Sequence, residues 1–274
     1  MSVQRVLMMT HAASSVREAV ALYLRMFDVA EAFRARLVPQ ERTSQVVRIG
    51  EFYVEVMKAR PLGGTIGEYS RRYGGYFPSM CFVVSDVAAL RRKLQGRIAR
   101  TVEDRTHFLA VEIRGTPGMV WEFTDLPPEA AIVPIGPKRA AHSPSNELGI
   151  QGVSSFSLLV DDIWDSAELV TKALGGRALG GIHEGEYAES QQFRLAGLTL
   201  SLLHPKRGDH VLAAVLARQG SSIHSFCLVV SDMEAARKGL LARGVAVLRE
   251  RVPRLTIHPR SAYGARILLS APEK

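Results

Sequence analysis

The sequence is poor in cysteine and in aromatic residues. Only 2 of its 274 residues are cysteine, and they show no C-x-x-C spacing. A disulfide framework and a cysteine-based zinc motif are therefore excluded, and the two thiols are typical of a protein from a reducing compartment. Aromatic residues make up 7% of the chain, but hydrophobic residues reach 47%, which is enough for one large domain or two ordinary ones.

Long apolar segments are also missing. The longest clean apolar run, Val211 to Ala217, has seven residues, whereas a helix that spans a bilayer needs roughly 20. Near the N-terminus, Arg5 precedes only Val6 to Met9, which is too short for the apolar region of a secretory signal. We therefore expect a cytoplasmic protein without a membrane partner.

The chain has no nucleotide-binding or hydrolase signature and no basic block. G-x-S-x-G, P-loop and G-x-G-x-x-G patterns do not occur. The net charge of +8 is spread over both halves of the chain, and its densest cluster, Arg91 to Arg100, lies on a predicted helix and its exit. Zinc-finger and RNP motifs are absent as well, so we expect no nucleic-acid partner. A small-molecule ligand remains, and the basic balance favours an anionic one.

What the sequence does contain is an internal repeat. Ser79–Asp86 recurs as Ser225–Asp232, and continuing this register over the following helix gives 9 identities in 16 positions. Cys81 and Cys227 occupy the same position of the repeat. Five of the 13 prolines lie between Leu126 and Ile150. The repeat therefore predicts two related halves that are joined by a Pro-rich linker.

Each half divides again into two units of one strand, one helix and three further strands. In the first unit, a strand over Val6–Ala12 precedes the candidate helix cap Ser14–Ser15 and a helix to Phe27. In the second unit, Asp86 caps a predicted helix over Val87–Leu94. We predict modules 1–62 and 75–126 in a first domain 1–126, a linker 127–149, and modules 150–206 and 220–274 in a second domain 150–274. One such unit would expose a whole sheet face, so the units must pair.

Several segments resemble the vicinal oxygen chelate superfamily, which includes glyoxalases, bleomycin resistance proteins and dioxygenases. Val84–Asp86 and Val230–Asp232 have the family's V-x-D strand end before a helix. Ile257–Leu269 is similar to its H-P-x-x-x-x-G-V-x-I-E-L motif, and Tyr69–Tyr76 is similar to the short helix and glycine turn that lead into its second module. The strongest similarity is to methylmalonyl-CoA epimerase-like and glyoxalase-like proteins.

The resemblance covers nearly the whole chain apart from the linker and implies a fold. We expect the α+β class, with four βαβββ modules paired into two glyoxalase-like domains with curved, mostly antiparallel sheets. It does not fix an activity, because the superfamily spans lyases, epimerases, dioxygenases, resistance proteins and simple binders.

The resemblance also implies a divalent metal, held by a His on the first strand of a module and a Glu or Gln on the last. The corresponding first-strand positions hold Met8, Ser79, Ser155 and Ser225. The last-strand positions hold Glu55, Glu122, Ser201 and Leu268. We therefore expect no cofactor, although Glu55 and Glu122 leave open a weakly bound divalent metal in the N-terminal half.

One histidine lies close to these positions. His224 precedes Ser225, and the alternation of side chains along a strand predicts that it lies on the opposite face. Extradiol ring-cleaving dioxygenases, which chains of this size also resemble, need two His and one Glu in the C-terminal half. Here those positions are Ser155, Ser225 and Leu268, which argues against ring cleavage.

Alternation from these positions predicts the side chains that line the two clefts. Glu55 and Glu122 should face each other, which would raise the pKa of at least one and make it a candidate catalytic base; alternatively both are solvated or neutralised by a neighbouring arginine. Arg266 should point into the second cleft and suits a carboxylate or phosphate; alternatively it forms an ordinary surface ion pair. The candidate ligand-binding residues are Met8, Tyr53, Ser79, Ser155, Ser201, Ser225 and Arg266.

Three functions remain open at this level. The first is a binding protein for a small, anionic organic ligand, related to metalloenzymes but without their histidines. The second is an isomerase or lyase of the glyoxalase or epimerase type, with Glu122 or Glu55 as general base in the N-terminal half. The third is an interaction module with vestigial clefts. Because one chain supplies four modules, both a monomer and a homodimer are open.

Overall fold

The computed structural model describes residues 2–58, 75–140, 146–206, 212–249, 254–262 and 265–272. Within them the chain is strand-rich with few helices, and the expected α+β class is confirmed. Tyr69 to Gly74, most of the motif predicted to lead into the second module, lie outside the described residues. Tyr263 and Gly264, in the motif near the C-terminus, lie outside them as well.

Among the described residues, the first half contributes nine strands and three helices. Helix α1 spans Val16–Met26, α2 spans Val87–Lys93 and α3 spans Pro128–Ala131. The strands are β1 Val3–Ala13, β2 Ala30–Leu37, β3 Arg42–Ile49, β4 Phe52–Lys58, β5 Gly75–Val84, β6 Ile98–Arg105, β7 Phe108–Ile113, β8 Val120–Thr124 and β9 Ile132–Ala140.

The described part of the second half contributes nine more strands. They are β10 Ile150–Leu159, β11 Arg177–Ala178, β12 His183–Glu184, β13 Ala188–Leu195, β14 Leu198–Pro205, β15 Ser222–Val230, β16 Val247–Arg249, β17 Arg254–Ile257 and β18 Ile267–Ser270. Its helices are α4 Ile163–Glu168, which continues as a π-helical turn over Leu169–Ala173, α5 Leu212–Gln219 and α6 Met233–Ala242, with a 3₁₀ turn at Pro259–Ala262.

Helix starts follow the capping residues of the sequence. The Ser15 hydroxyl accepts a hydrogen bond from the Glu18 backbone N–H, which confirms this residue as the cap of α1. Asp86, Asp162 and Asp232 cap α2, α4 and α6 in the same way. Each of these side chains satisfies a backbone donor that the first helical turn leaves unpaired.

The modules pair through their first strands within one chain. Strand β1 is antiparallel to β5 and parallel to β4, and β5 is parallel to β8. In the second half, β10 is antiparallel to β15 and parallel to β14, and β15 is parallel to β18. Between the described strands of the two sheets, Ile223 pairs with Phe77. Both halves therefore place the same pair of strands at the centre of a sheet.

One face of each sheet is buried in a core that the halves share. Phe226 of β15 lies 5.9 Å from Phe77 and 6.2 Å from Phe52 between ring centroids, so it contacts two aromatic side chains of the first half. Phe156 lies 5.5 Å from Phe52. Trp121 is fully buried, and its ring stacks on Phe82. We call the opposite faces of the two sheets the first and second cleft faces.

The backbone of Gly115 forms a polar contact between the halves. Its carbonyl oxygen accepts hydrogen bonds from the Asp161 and Asp162 backbone N–H groups, at 3.1 Å each. Its φ angle is +84°, and a Cβ atom at this position would lie 2.7 Å from the Cβ atom of Asp165. Only glycine fits both the conformation and the close approach.

The Pro-rich segment after residue 126 forms structure of its own. Helix α3 is followed by β9, which pairs antiparallel with β2 at the edge of the first sheet. Ala131 and Ile132 are buried in an apolar cluster with Met8, Phe33 and other residues of the first cleft face. This part of the segment predicted as a linker therefore covers one side of the first cleft.

No helix among the described residues is long and apolar enough to cross a membrane.

Candidate functional site

Glu55 is a deeply buried carboxylate of the first cleft. Its side chain pairs with Arg42, whose Nε lies 3.0 Å from Oε1 and whose Nη2 lies 2.7 Å from Oε2. Thr10 donates a further hydrogen bond to Oε2 at 2.9 Å, and Ser79 donates to Thr10 at 2.8 Å. Both oxygens of Glu55 are therefore engaged, and the guanidinium of Arg42 balances the charge of this carboxylate.

Glu122 lies on strand β8 in a different environment. Gln40 donates to its Oε2 at 3.1 Å, and the side chain is buried. Burial raises the pKa of Glu122, the positive charge of Arg42 opposes this rise, and the negative charge of Glu55 adds to it. The raised pKa of Glu122 is what a buried general base requires.

A small cavity lies in front of Glu122. Its volume is about 130 Å³. It is lined by Thr10, Arg42, Met57, Pro78, Ser79, Val102, Glu103, Phe108, Ala110, Val120 and Glu122. Arg42 thus faces the cavity while it binds the carboxylate of Glu55. A group that entered this cavity would meet the carboxyl groups of Glu122 and Glu103, a guanidinium and two hydroxyls.

The other residues predicted for the first cleft lie beside this cavity. Met8 is buried in the apolar cluster with Cys81, and Tyr53 packs against the same cluster. Burial raises the pKa of the Cys81 thiol well above its usual value. Ser79 lines the cavity directly. The first cleft is thus apolar around Met8 and polar around Thr10.

The second cleft face carries a row of hydroxyl groups. The strand register places Ser157 opposite Ser201 on one side and opposite Ser225 on the other. Ser155 lies in the next row, opposite Thr199. Directly opposed side chains on neighbouring strands lie about 5 Å apart, so these groups can contact one ligand together. The structure thereby brings the predicted residues Ser155, Ser201 and Ser225 onto one face.

His224 was predicted to lie on the opposite face, and this prediction is wrong. The register shifts between Ser157 opposite Ser225 and Leu158 opposite Ile223, so His224 lies in an irregularity of β15 where strict alternation ends. The Nε2 atom of His224 lies 3.2 Å from Nη1 of Arg266. The equivalent residue in the first half, Pro78, lines the cavity next to Ser79. We therefore assign His224 to the second cleft.

Arg266 contacts His224, which directly precedes Ser225 of the hydroxyl row. Burial, with a further contribution from the charge of Arg266, lowers the pKa of His224 to about 4. At neutral pH the histidine is uncharged, so its Nε2 atom can accept a hydrogen bond from the Arg266 guanidinium. That Arg266 also points into the cleft stays a prediction.

The two cleft faces differ in charge. On the first, Arg42 and Arg100 pair with Glu55 and Glu112. On the described strands of the second sheet the acidic residues are Glu184 and Glu189, which lie opposite each other at the β12–β13 edge. Arg194 lies opposite Thr199 and Arg254 lies opposite Ser270, while Arg266 contacts His224. The second cleft face is therefore the more basic one.

The metal that the family resemblance implies does not fit the first cleft. Its two carboxylates, Glu55 and Glu122, surround a guanidinium, and both oxygens of Glu55 already bind Arg42. A divalent cation at this place would be repelled by the adjacent positive charge. Among the described residues no group of three His, Cys, Asp or Glu side chains has the arrangement of a metal site.

Arg42 and Gln40 are the site residues that the sequence interpretation missed. Arg42 lies four residues before Val46, which is opposite Glu55, so strand alternation contained a usable signal for the same face. Gln40 lies in the turn between β2 and β3, where no periodic pattern applies. Only the folded turn shows that it contacts Glu122.

Comparisons with known proteins agree with this architecture. Residues 156–263 match the Glyoxalase/Bleomycin resistance protein/Dioxygenase superfamily. A triple mutant of 4-hydroxymandelate synthase from Streptomyces coelicolor aligns with 99% of this chain and 94% of its own, with a TM-score of 0.72 and 17% identity. A xylose isomerase-like TIM barrel/4-hydroxyphenylpyruvate dioxygenase fusion protein aligns with 100% of this chain and 50% of its own, with a TM-score of 0.66 and 13% identity.

A methylmalonyl-CoA epimerase from Mycobacterium tuberculosis aligns with 48% of this chain and 95% of its own, with a TM-score of 0.42 and 22% identity. No curated protein sequence matches the chain. The likeness to the synthase and to the fusion protein concerns the fold, not the activity. The sequence match is confined to residues 156–263, so it is this segment of the second half that is similar to the glyoxalase/bleomycin resistance protein/dioxygenase superfamily.

Proposed function

We propose that this protein binds a small organic anion in its second cleft. The contact between Arg266 and His224 carries the proposal, because His224 directly precedes Ser225, which belongs to a row of serine hydroxyls on the second cleft face. The described strands of that sheet carry carboxylates only at the β12–β13 edge. A guanidinium binds a carboxylate or a phosphate with two parallel hydrogen bonds, and hydroxyls can donate to the remaining oxygens. Neutral His224 contacts the guanidinium without competing for the anion's charge.

Replacement of Arg266 by Met tests this proposal. We expect the purified protein to bind small mono- and dicarboxylates or inorganic phosphate in calorimetric titrations at pH 7. Arg266→Met should weaken that binding about 10- to 100-fold, because it removes charged hydrogen bonds while retaining much of the length of the side chain. The titrations are done at low ionic strength, because salt would screen the charges and reduce the difference in affinity between the parent protein and the variant.

Arg237→Met is a matched control in the same half. Arg237 lies on α6 and pairs with Glu234, so its loss changes the net charge equally without touching the second cleft. Equal weakening by both variants would mean that the anions respond only to overall charge. Unchanged affinity in Arg266→Met, or no binding of any probe by the parent protein, would contradict the proposal.

A second function is favoured by the cavity in front of Glu122. We propose proton transfer at a carbon next to a carbonyl group, as in an isomerase or lyase, with Glu122 as the base. The ionised carboxylate takes the proton, the electron pair moves onto the carbonyl oxygen, and the Arg42 guanidinium stabilises the resulting negative charge. The raised pKa of Glu122 makes its carboxylate a stronger base than an exposed one. Glu55 positions Arg42 in this scheme.

Solvent exchange measures this activity without knowledge of the natural substrate. In D₂O we expect the protein to accelerate exchange of the α-protons of short ketones and keto acids, followed by NMR. Glu122→Gln should slow this exchange at least about 100-fold. Glu112→Gln, on the neighbouring strand β7 and paired with Arg100, should leave it unchanged. Undiminished exchange in Glu122→Gln would exclude Glu122 as the base.

A further inference from the structure

The first cleft holds its own cation. We propose that the Arg42 guanidinium takes the place of the divalent metal in this half, and that the oxygen-bearing side chains around it form a latent metal site that removal of Arg42 would open. The proposal concerns the first cleft and goes beyond the anion binding that we propose for the second cleft.

The contacts of Arg42 carry this inference. It binds both oxygens of Glu55, and its charge acts on Glu122 as well. Glu55 and Glu122 occupy the last-strand positions at which the superfamily resemblance implies metal ligands. A single side chain therefore supplies the positive charge that two buried carboxylates require.

The neighbours of Arg42 are oxygen donors. Thr10 and Ser79 lie on the central strands β1 and β5 opposite each other, and both line the cavity together with Arg42 and Glu122. Carboxylates and hydroxyls without imidazole or thiolate suit hard cations such as Mn²⁺ and Mg²⁺. Without Arg42, this set has the charge and the ligand type that such an ion needs.

Divalent-metal titration of Arg42→Ala tests the proposal. In metal-free buffer we expect the variant to unfold at a lower temperature than the parent, and Mn²⁺ at millimolar concentration to raise its midpoint by about 5 °C or more. Equilibrium dialysis should find one Mn²⁺ bound to each chain of the variant. The parent protein should show neither effect, because its guanidinium already occupies the site.

The double variant Arg42→Ala/Glu55→Gln is the control. It lacks one of the two carboxylates, so Mn²⁺ should neither bind with this stoichiometry nor raise its midpoint. Equal stabilisation of the double variant would place the metal elsewhere and overturn the proposal. Tight binding of Mn²⁺ by the parent protein would overturn it too. If Arg42→Ala is unfolded without metal, failure of Mn²⁺ to restore its circular dichroism would count equally against it.

Discussion

Replacement of Arg42 by Met should lower the free energy of unfolding by about 3 kcal/mol, because it leaves a fully buried carboxylate without its counter-charge. Glu55 would retain only the hydrogen bond from Thr10 among the contacts described above. The exposed part of the arginine side chain reduces the effect somewhat, since water can enter where the guanidinium was. Urea unfolding at pH 7, followed by circular dichroism, measures the change.

Two further variants separate charge from packing. The double variant Arg42→Met/Glu55→Met removes both charges and should recover most of the lost stability, because apolar replacement of a buried pair is often nearly neutral. Arg100→Met breaks the more exposed pair with Glu112 and should cost less than about 1 kcal/mol. A loss in Arg42→Met no larger than in Arg100→Met would show that the first pair does not stabilise the fold.

Replacement of Phe226 by Ala should cost about 3–5 kcal/mol. Phe226 is almost fully buried and contacts Phe52 and Phe77 of the first half as well as Phe156 of its own half. Truncation therefore opens a void where the two sheets meet, which affects the core and the contact between halves together. Urea unfolding followed by tryptophan fluorescence, with Trp121 in the first half, measures the change.

A matched control and a double variant test whether the stability lost in Phe226→Ala comes from the contact between the two halves. Leu248→Ala removes a half-exposed side chain of the second half and should cost well under about 1.5 kcal/mol. Phe52→Ala combined with Phe226→Ala should cost less than the sum of the single variants, since both remove the same ring contact. Strict additivity, or a loss in Phe226→Ala similar to that in Leu248→Ala, would contradict this picture of the interface.

Local patterns predicted the elements of the fold well. The helix predicted to follow Ser15 spans Val16–Met26, and the helix predicted over Val87–Leu94 spans Val87–Lys93. These features depend on capping groups and on the spacing of apolar residues along a few turns or strands, which a sequence displays directly. The α+β class follows from the order of such elements.

The sequence also placed Glu55 and Glu122 on one cleft face, because alternation along a strand is a local rule. It did not determine that Arg42 binds Glu55 or that the pKa of Glu122 is raised. Those depend on Arg42 and on Gln40, which reach the site from a neighbouring strand and a turn. Burial and charge at a point in space sum over several elements, and no single segment contains that information.

His224 is a second case in which the sequence pattern alone did not determine the position of a side chain. Strict alternation assigns it to the core face, but an irregularity in β15 brings it to Arg266. Likewise, nothing in the Pro-rich segment alone shows that β9 pairs with β2. The sequence by itself determined the scarcity of cysteine, the element pattern and the carboxylates of the first cleft. The tertiary structure decided which charged groups face one another, because strand register and bulges are settled only when the sheets pair.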